Sequence, residues 1–340
     1  MLNRFVSALS LSLLAAAVLP AQLTKRGYVT GKYALELDGK NEGWLSSVAG
    51  GNPTSDVVTE KLGPDNITRK HIGGVKYEPI VLEASPELAA TALQMLLDNK
   101  FKRLNGAVIA TDFDYKEVSR LNFFQTLVTA VTIPDLDAGS KDACHFDIEL
   151  TPEYTRTALG SGGTTKPDVV TARLKSCLVS NFRVKIDNLN TTKVSKVESF
   201  TLRRSVVANP VGEMRDYQKE PARLTIPNIK LTVASSTSKD FTDWLEDFVV
   251  KGNNSQEKEK TLTLEIMTPN LSEALLTLTA SGVGIVAVRR VATPAGSDNI
   301  ARDEVELYVE QWTVTPVKRA SLDTTKPPVL AGSTTKVGRD

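Results

Sequence analysis

The sequence predicts a mainly β protein made of two tandem modules, each a β-barrel or sandwich with one amphipathic helix. Two observations carry this reading. Short alternating strands bounded by turn formers recur in both halves, and a helix with a single apolar stripe stands at the same place in the order of each half. At 340 residues the chain has room for about two domains of ordinary size.

The elements follow in order. Tyr33-Ala-Leu-Glu-Leu-Asp-Gly-Lys-Asn41 alternates apolar and polar side chains and ends in turn formers. Phe182-Arg-Val-Lys-Ile-Asp-Asn-Leu-Asn190 repeats the pattern 149 positions later (182 minus 33). Each reads as a half-buried strand running into a tight turn. Ser85-Pro86-Glu87 opens a helix, with Ser as N-cap and Pro in the first turn. Its apolar face is Ala89, Ala92, Leu93, Leu96 and Leu97; in the second half Ser238 precedes Phe241, Trp244, Leu245, Phe248 and Val249, offset by 152. Both sets are stripes of a helix buried on one side. Gly106 to Asp112 then corresponds to Thr261 to Met267, and Leu121 to Ile133 to Leu275 to Val288. The closing strands carry Phe146, Ile148, Leu150 and Val305, Leu307, Val309, offset by 159. Offsets that drift in this way are what small loop insertions produce in a duplicated domain; an unrelated β domain in the second half is the other reading.

Leu159-Gly-Ser-Gly-Gly-Thr-Thr-Lys-Pro167 has no apolar period and reads as a linker. The segment from Thr324 to Lys336 reads as a flexible tail. The expected division is therefore a signal peptide over 1–21, a first module over 28–158, a linker over 159–170, a second module over 171–318 and a tail over 319–340. The signal is read from Arg4 as the only early charge, an apolar run from Phe5 to Leu19, and a cut after Ala21 or Ala17. The run is too short to span a bilayer comfortably. Export would leave Cys144 and Cys177 able to pair, although two isolated buried thiols fit equally well.

Lys+Arg 41 against Asp+Glu 40 leaves a formal net charge of +1, which argues against a general electrostatic grip on nucleic acid or on an anionic membrane. No catalytic, cofactor-binding or metal-binding residue is expected. Of the two histidines, His71 lies in a His-Ile-Gly-Gly turn, and His145 follows Cys144 in a strand, where neighbours point to opposite faces and cannot easily share an ion. Asp112/Asp114 and Asp135/Asp137 lack the spacing of a calcium loop, and Asp112 and Asp114 read as hairpin-turn residues. Ser281-Gly282-Val283-Gly284 reads as a bulge or bend in a strand, because Thr279 and Val283 stand where a nucleophile elbow needs Gly. Gln256 to Lys260 reads as a solvated loop edge, and Trp44, Trp244 and Trp312 as core or interface anchors.

Leu35-Glu-Leu-Asp-Gly39, Gly43-Trp44, Val48-Ala-Gly-Gly51, Lys70-His-Ile-Gly-Gly74, Tyr77-Glu-Pro-Ile-Val-Leu-Glu83, Asn105-Gly-Ala-Val-Ile109 and Phe146-Asp-Ile-Glu-Leu150 resemble the tail-tube proteins of contractile phages and related injection systems, across residues 33–155. The second module matches by pattern and lacks the Gly-Trp, His-Ile-Gly-Gly and Tyr-Glu-Pro elements. The resemblance implies a tail-tube-like barrel in a six-fold ring around a channel, stacked into a tube, with sheath or baseplate-like proteins as partners. Two modules per chain would make that ring a homotrimer with pseudo-six-fold symmetry; six chains with the second module as outer decoration is the rival. The family's usual subunit has one module and no signal peptide. An exported ring, a virion or injection-particle component, and an exported β-domain adaptor all follow as expectations.

Overall fold

The computed structural model describes residues 31–61, 67–98, 100–165, 177–209, 218–292 and 300–315. The signal segment 1–21, the tail 319–340 and the linker beyond Thr165 lie outside them. Strands dominate, as the alternation predicts.

The first half runs β1 (Lys32–Leu37), β2 (Lys40–Leu45), β3 (Ser47–Gly50), a long hairpin of β4 (Pro53–Lys61) and β5 (Thr68–Tyr77), β6 (Ile80–Ala84), α1 (Pro86–Leu97), β7 (Leu104–Thr111), β8 (Glu117–Ile133), a two-residue β9 (Leu136–Asp137), β10 (Phe146–Thr151) and β11 (Tyr154–Leu159). Asp38 and Gly39 turn β1 into β2 with φ of 48° and 78°, the mirror-image turn that Asp-Gly pairs favour in hairpins. The second half runs β12 (Phe182–Ile186), β13 (Val194–Val197), a hairpin of β14 (Phe200–Asn209) and β15 (Gln218–Thr225), β16 (Ile229–Ala234), α2 (Lys239–Leu245), a π turn (Glu246–Val250), β17 (Lys260–Met267), β18 (Ala274–Arg290) and β19 (Arg302–Thr315).

The neighbours in the first sheet are β2-β1-β7-β8-β10-β6-β3; in the second they are β12-β17-β18-β19-β16-β13, with β9 beside β13. Without β2 and β9, the two orders have the same form: first strand, two long strands after the helix, closing strand, strand before the helix, short strand. The irregularities fall at matching places too. The extra residue that β8 holds against β10 is Thr129, and the one β18 holds against β19 is Val286, 157 positions on (286 minus 129). The hairpin bulge lies between Ser55 and Val57 in one half and between Arg204 and Val206 in the other, 149 positions on (206 minus 57).

This register corrects the closing strands. Ile148 faces Leu82, and Val305 faces Leu231, so Val305 stands where Ile148 stands, not where Phe146 does. A slip of two residues leaves every side chain on its own face, so alternation could not detect it.

α1 buries Leu88, Ala89, Ala92, Leu93 and Leu96. It packs on β8 and β10 of its own sheet and also on β18 and β19 of the other. One buried cluster therefore runs through both halves, with Phe146, Phe123, Leu202, Phe241 and Trp312 among its largest members. In the second helix Phe241, Trp244 and Phe248 are buried as the stripe predicts, but Val249 is 49% exposed. The π turn advances more residues per turn than an α-helix and rotates Val249 off the stripe.

Two further expectations change. His71 lies not in a turn but in β5, opposite Val58; the β-branched run of β4 draws His-Ile-Gly-Gly into a ladder despite its glycines. Leu159–Thr165 is tied along the start of β8, through Gly160 N to Val118 O (2.9 Å), Glu117 N to Gly163 O (2.9 Å) and Thr165 N to Tyr115 O (2.8 Å).

Candidate functional site

The residues weighed for chemistry are dispersed. Cys144 points into the core, 3% exposed, and His145 points outward to the Ser46 hydroxyl at 3.2 Å. Cys144 and Cys177 are free, buried neighbours: Cys144 N donates to Cys177 O at 2.8 Å. The contact with Cys144 and burial push the Cys177 thiol far above its ordinary range. Asp112 Oδ1 accepts from the backbone of Asp114 (2.8 Å) and Lys116 (2.9 Å), which shapes the β7–β8 turn. Gly282 bends β18 at a φ of 64°, and Gly284 lies under the ring of Tyr308. Trp44 meets Tyr115 edge-on, and Trp244 meets Phe248. Gln256–Lys258 is a single exposed 3₁₀ turn. Among the described residues no helix is long and apolar enough to cross a membrane.

The arrangement that does bring residues together is the joint between the halves. β8 outruns β7, which leaves its last residues with an open edge, and β14 fills that edge. Phe200, Thr201, Leu202 and Arg203 face Ile133, Thr132, Val131 and Ala130. A backbone ladder of this kind satisfies polar groups that would otherwise form a bare sheet edge. Beside it β13 pairs with β9, Lys196 against Asp137 and Val197 against Leu136.

Side chains reinforce the ladder. Phe200 stacks on Trp312 with centroids 5.6 Å apart. Arg203 reaches Glu149 at 2.9 and 3.0 Å. Arg204, 8% exposed, donates to the Leu96 carbonyl at the end of α1 (2.9 Å) and to Ala222 O (3.1 Å); burial pulls its guanidinium below the ordinary range. Lys219 N donates to Glu153 Oε1 at 3.0 Å and its ammonium to Pro152 O at 2.6 Å, while Arg103 pairs with the same Glu153. Asp135, one of the aspartates without calcium-loop spacing, accepts from Ser199 N (2.8 Å) and pairs with Lys196 (3.0 Å). Partial burial raises its carboxyl, but the Lys196 and Ser199 hydrogen bonds outweigh this and hold it below the ordinary value.

The counterpart surfaces are bare among the described residues. The β4–β5 hairpin forms a two-stranded sheet of its own, tied to the body at its base by Thr155 Oγ1 to Gly51 O (2.7 Å). Val57, Val58 and Ile72 on it are 56%, 46% and 70% exposed. β18 likewise outruns β17, whose pairing ends at Val283, so that Ala287–Arg290 pair with β19 alone. Sequence reading missed both hairpins as a matched pair. The signal was Val57-Val58 and Val206-Val207, at the same spacing of 149 as the first strands.

Residues 179–313 match the family model described as T4-like virus tail tube protein gp19. The second half of the chain is thus similar to a tail-tube family. The match runs from just before β12 almost to the end of β19, over the half that the sequence related to the family by pattern alone, whereas the motif resemblance lay on residues 33–155. Among solved structures, the chain is similar to one in a cryo-EM structure of an extracellular contractile injection system, the PVC sheath-tube complex in the extended state, with 18% identity, 45% of this chain and 100% of that chain covered, and a TM-score of 0.36. It is similar to another in the anti-feeding prophage cap, the tube-terminating cap, with 16% identity, 40% and 89% coverage and a TM-score of 0.35. A type VI secretion system effector from Yersinia pestis shares 11% identity, with 39% and 87% coverage and a TM-score of 0.24. No curated protein matches the chain.

Proposed function

We propose that the chain is a structural subunit that self-assembles into a ring or tube, built from two tandem tail-tube-like modules over 28–158 and 171–318 with a connection over 159–170. The observation that carries the reading is the repeated strand order: the half that matches the tail-tube family has the same order, the same hairpin bulge and the same long-strand bulge as the half that precedes it. Duplication accounts for all three at once. Such a subunit works by shape and edge pairing and calls on no catalytic constellation.

Two modules joined edge to edge within one chain make a third of a six-module ring, so three chains close it as a homotrimer with pseudo-six-fold symmetry. Head-to-tail interfaces whose rotation closes give rings. In a virion or injection particle the partners of that ring would be sheath or baseplate-like proteins. Removal of 1–21 on export would place it in the periplasm, on the cell surface or outside the cell; an intact Met1 in envelope or extracellular fractions, read by mass spectrometry, rules that route out. Native mass spectrometry with negative-stain imaging tests the assembly. A mass near three chains with ring-shaped particles is expected. Six chains per ring would put the second module outside as decoration, and a monomer at every concentration would favour an exported adaptor.

A further inference from the structure

The joint inside the chain is a template for a joint between chains. We propose that the free end of β18, Ala287–Arg290, takes the β4–β5 hairpin of a second copy, in the register in which β8 takes the β14–β15 hairpin within one chain. This rests on the self-assembly proposed above and adds which surfaces meet.

The two surfaces occupy positions equivalent to those joined within the chain. The end of β18 lies 157 positions after the end of β8, as their shared bulge fixes. The two hairpins are 149 positions apart, as theirs fixes. Carrying the β8–β14 register across puts Thr54, Pro53 and Asn52 of the second copy opposite Ala287, Val288 and Arg289. Burial shows what the first joint does and the second lacks: Ala130, Val131 and Ile133 are 2%, 0% and 0% exposed, whereas Ala287 and Val288 are only half-buried and Asn52, Pro53 and Thr54 are exposed. Pro53 has no N–H, so the new ladder loses at most one donor relative to the old.

Charge gives an independent match. Within the chain Lys219 grips Glu153 and Pro152 beside the ladder. Lys70 stands at the position of Lys219 in the first hairpin, and Glu310 at that of Glu153 in the second sheet. Both are exposed, and neither forms an ion pair among the described residues. The helices agree. α1 spans both sheets, whereas α2 packs on β18 and leaves Val249 and Val250 49% and 68% exposed, near the positions of Leu97 and Asp98, which border a cleft with Trp312 and Val314.

Charge reversal tests the pairing. Lys70→Glu and Glu310→Lys should each weaken ring assembly of the full chain by about three- to tenfold per interface, and the double variant should restore it. Thr54→Cys with Ala287→Cys, counterparts of the directly opposed Arg203 and Ala130, should cross-link neighbouring chains on oxidation, while each single variant should not. Rings that form normally in both charge variants, with no cross-link in the double-cysteine variant, would place the interface elsewhere and overturn this inference while leaving self-assembly standing. A wild-type chain that stays monomeric overturns both.

Discussion

The two hairpins of this chain have one shape and opposite circumstances. β14–β15 is fastened to β8, with Leu202 fully buried and Arg204 holding the end of α1. β4–β5 has its bulge at the equivalent residue yet pairs as a strand with neither large sheet, with valines and an isoleucine in solvent. The comparison teaches that geometry is shared while burial is not: a hairpin keeps its shape from its own ladder, but its exposure depends on whether a long strand offers it an edge.

The largest effect should come from breaking the occupied joint. Leu202→Asp puts a charge at a 0% exposed position and should cost about 3–5 kcal/mol. Pro53→Asp, at the equivalent place in the free hairpin, should change the stability of the dispersed chain by less than about 0.5 kcal/mol. Urea titration of both variants reads the contrast, and equal losses would mean the free hairpin is as buried as the docked one.

A second test concerns one cross-strand pair inside each half. Leu127 faces Thr151 across β8 and β10; at the equivalent cross-strand pair Gly284 faces Tyr308. Large and small have changed places, so the volume is roughly kept. A Cβ on Gly284 would lie 2.2 Å from the Tyr308 ring, and Gly284→Ala should cost about 1–3 kcal/mol. Gly284→Leu combined with Tyr308→Thr installs the pair of the other half and should recover most of that loss in melting temperature. A double variant no better than Gly284→Ala would show that the two sites are not interchangeable.

The smallest effect is electrostatic. The Asp135 carboxyl is held below its ordinary value in the folded state, so its contribution is present above the unfolded carboxylate pKa and is lost as pH falls through the folded one. With the side chain 56% exposed, solvent screens the pair and the effect is a few tenths of a kcal/mol. Asp135→Asn should flatten the acid limb of the stability curve by that amount, and a curve identical to wild type would remove Asp135 from the joint.

Much of this was legible in the chain itself. Alternation marked the strands around Leu35, Val184, Ile148 and Leu307, and the stripes from Ala89 and Phe241 marked both helices, because burial on one face leaves a period. The joint was not legible. Lys196, Glu149, Arg203 and Glu153 look like solvated charges until the fold brings Glu149 to Arg203 across 54 positions. An edge vacancy leaves no residue signature either: nothing in Ala130-Val-Thr-Ile133 tells that β7 stops short of it. Val249 was misplaced because a π turn changes the period itself.

The reach of β8 past β7 also sets a clock. Ile133 leaves the ribosome well before Phe200, which must cover it, and at 5–20 residues per second the interval is on the order of ten seconds. Trp312, the stacking partner of Phe200, follows more than a hundred residues later still. During synthesis the first half therefore carries an unpaired strand end and a helix with one apolar flank bare, the combination that recruits chaperones or other nascent chains. Slowed translation between the halves should lower the soluble yield of this protein more than the same delay placed after Thr315.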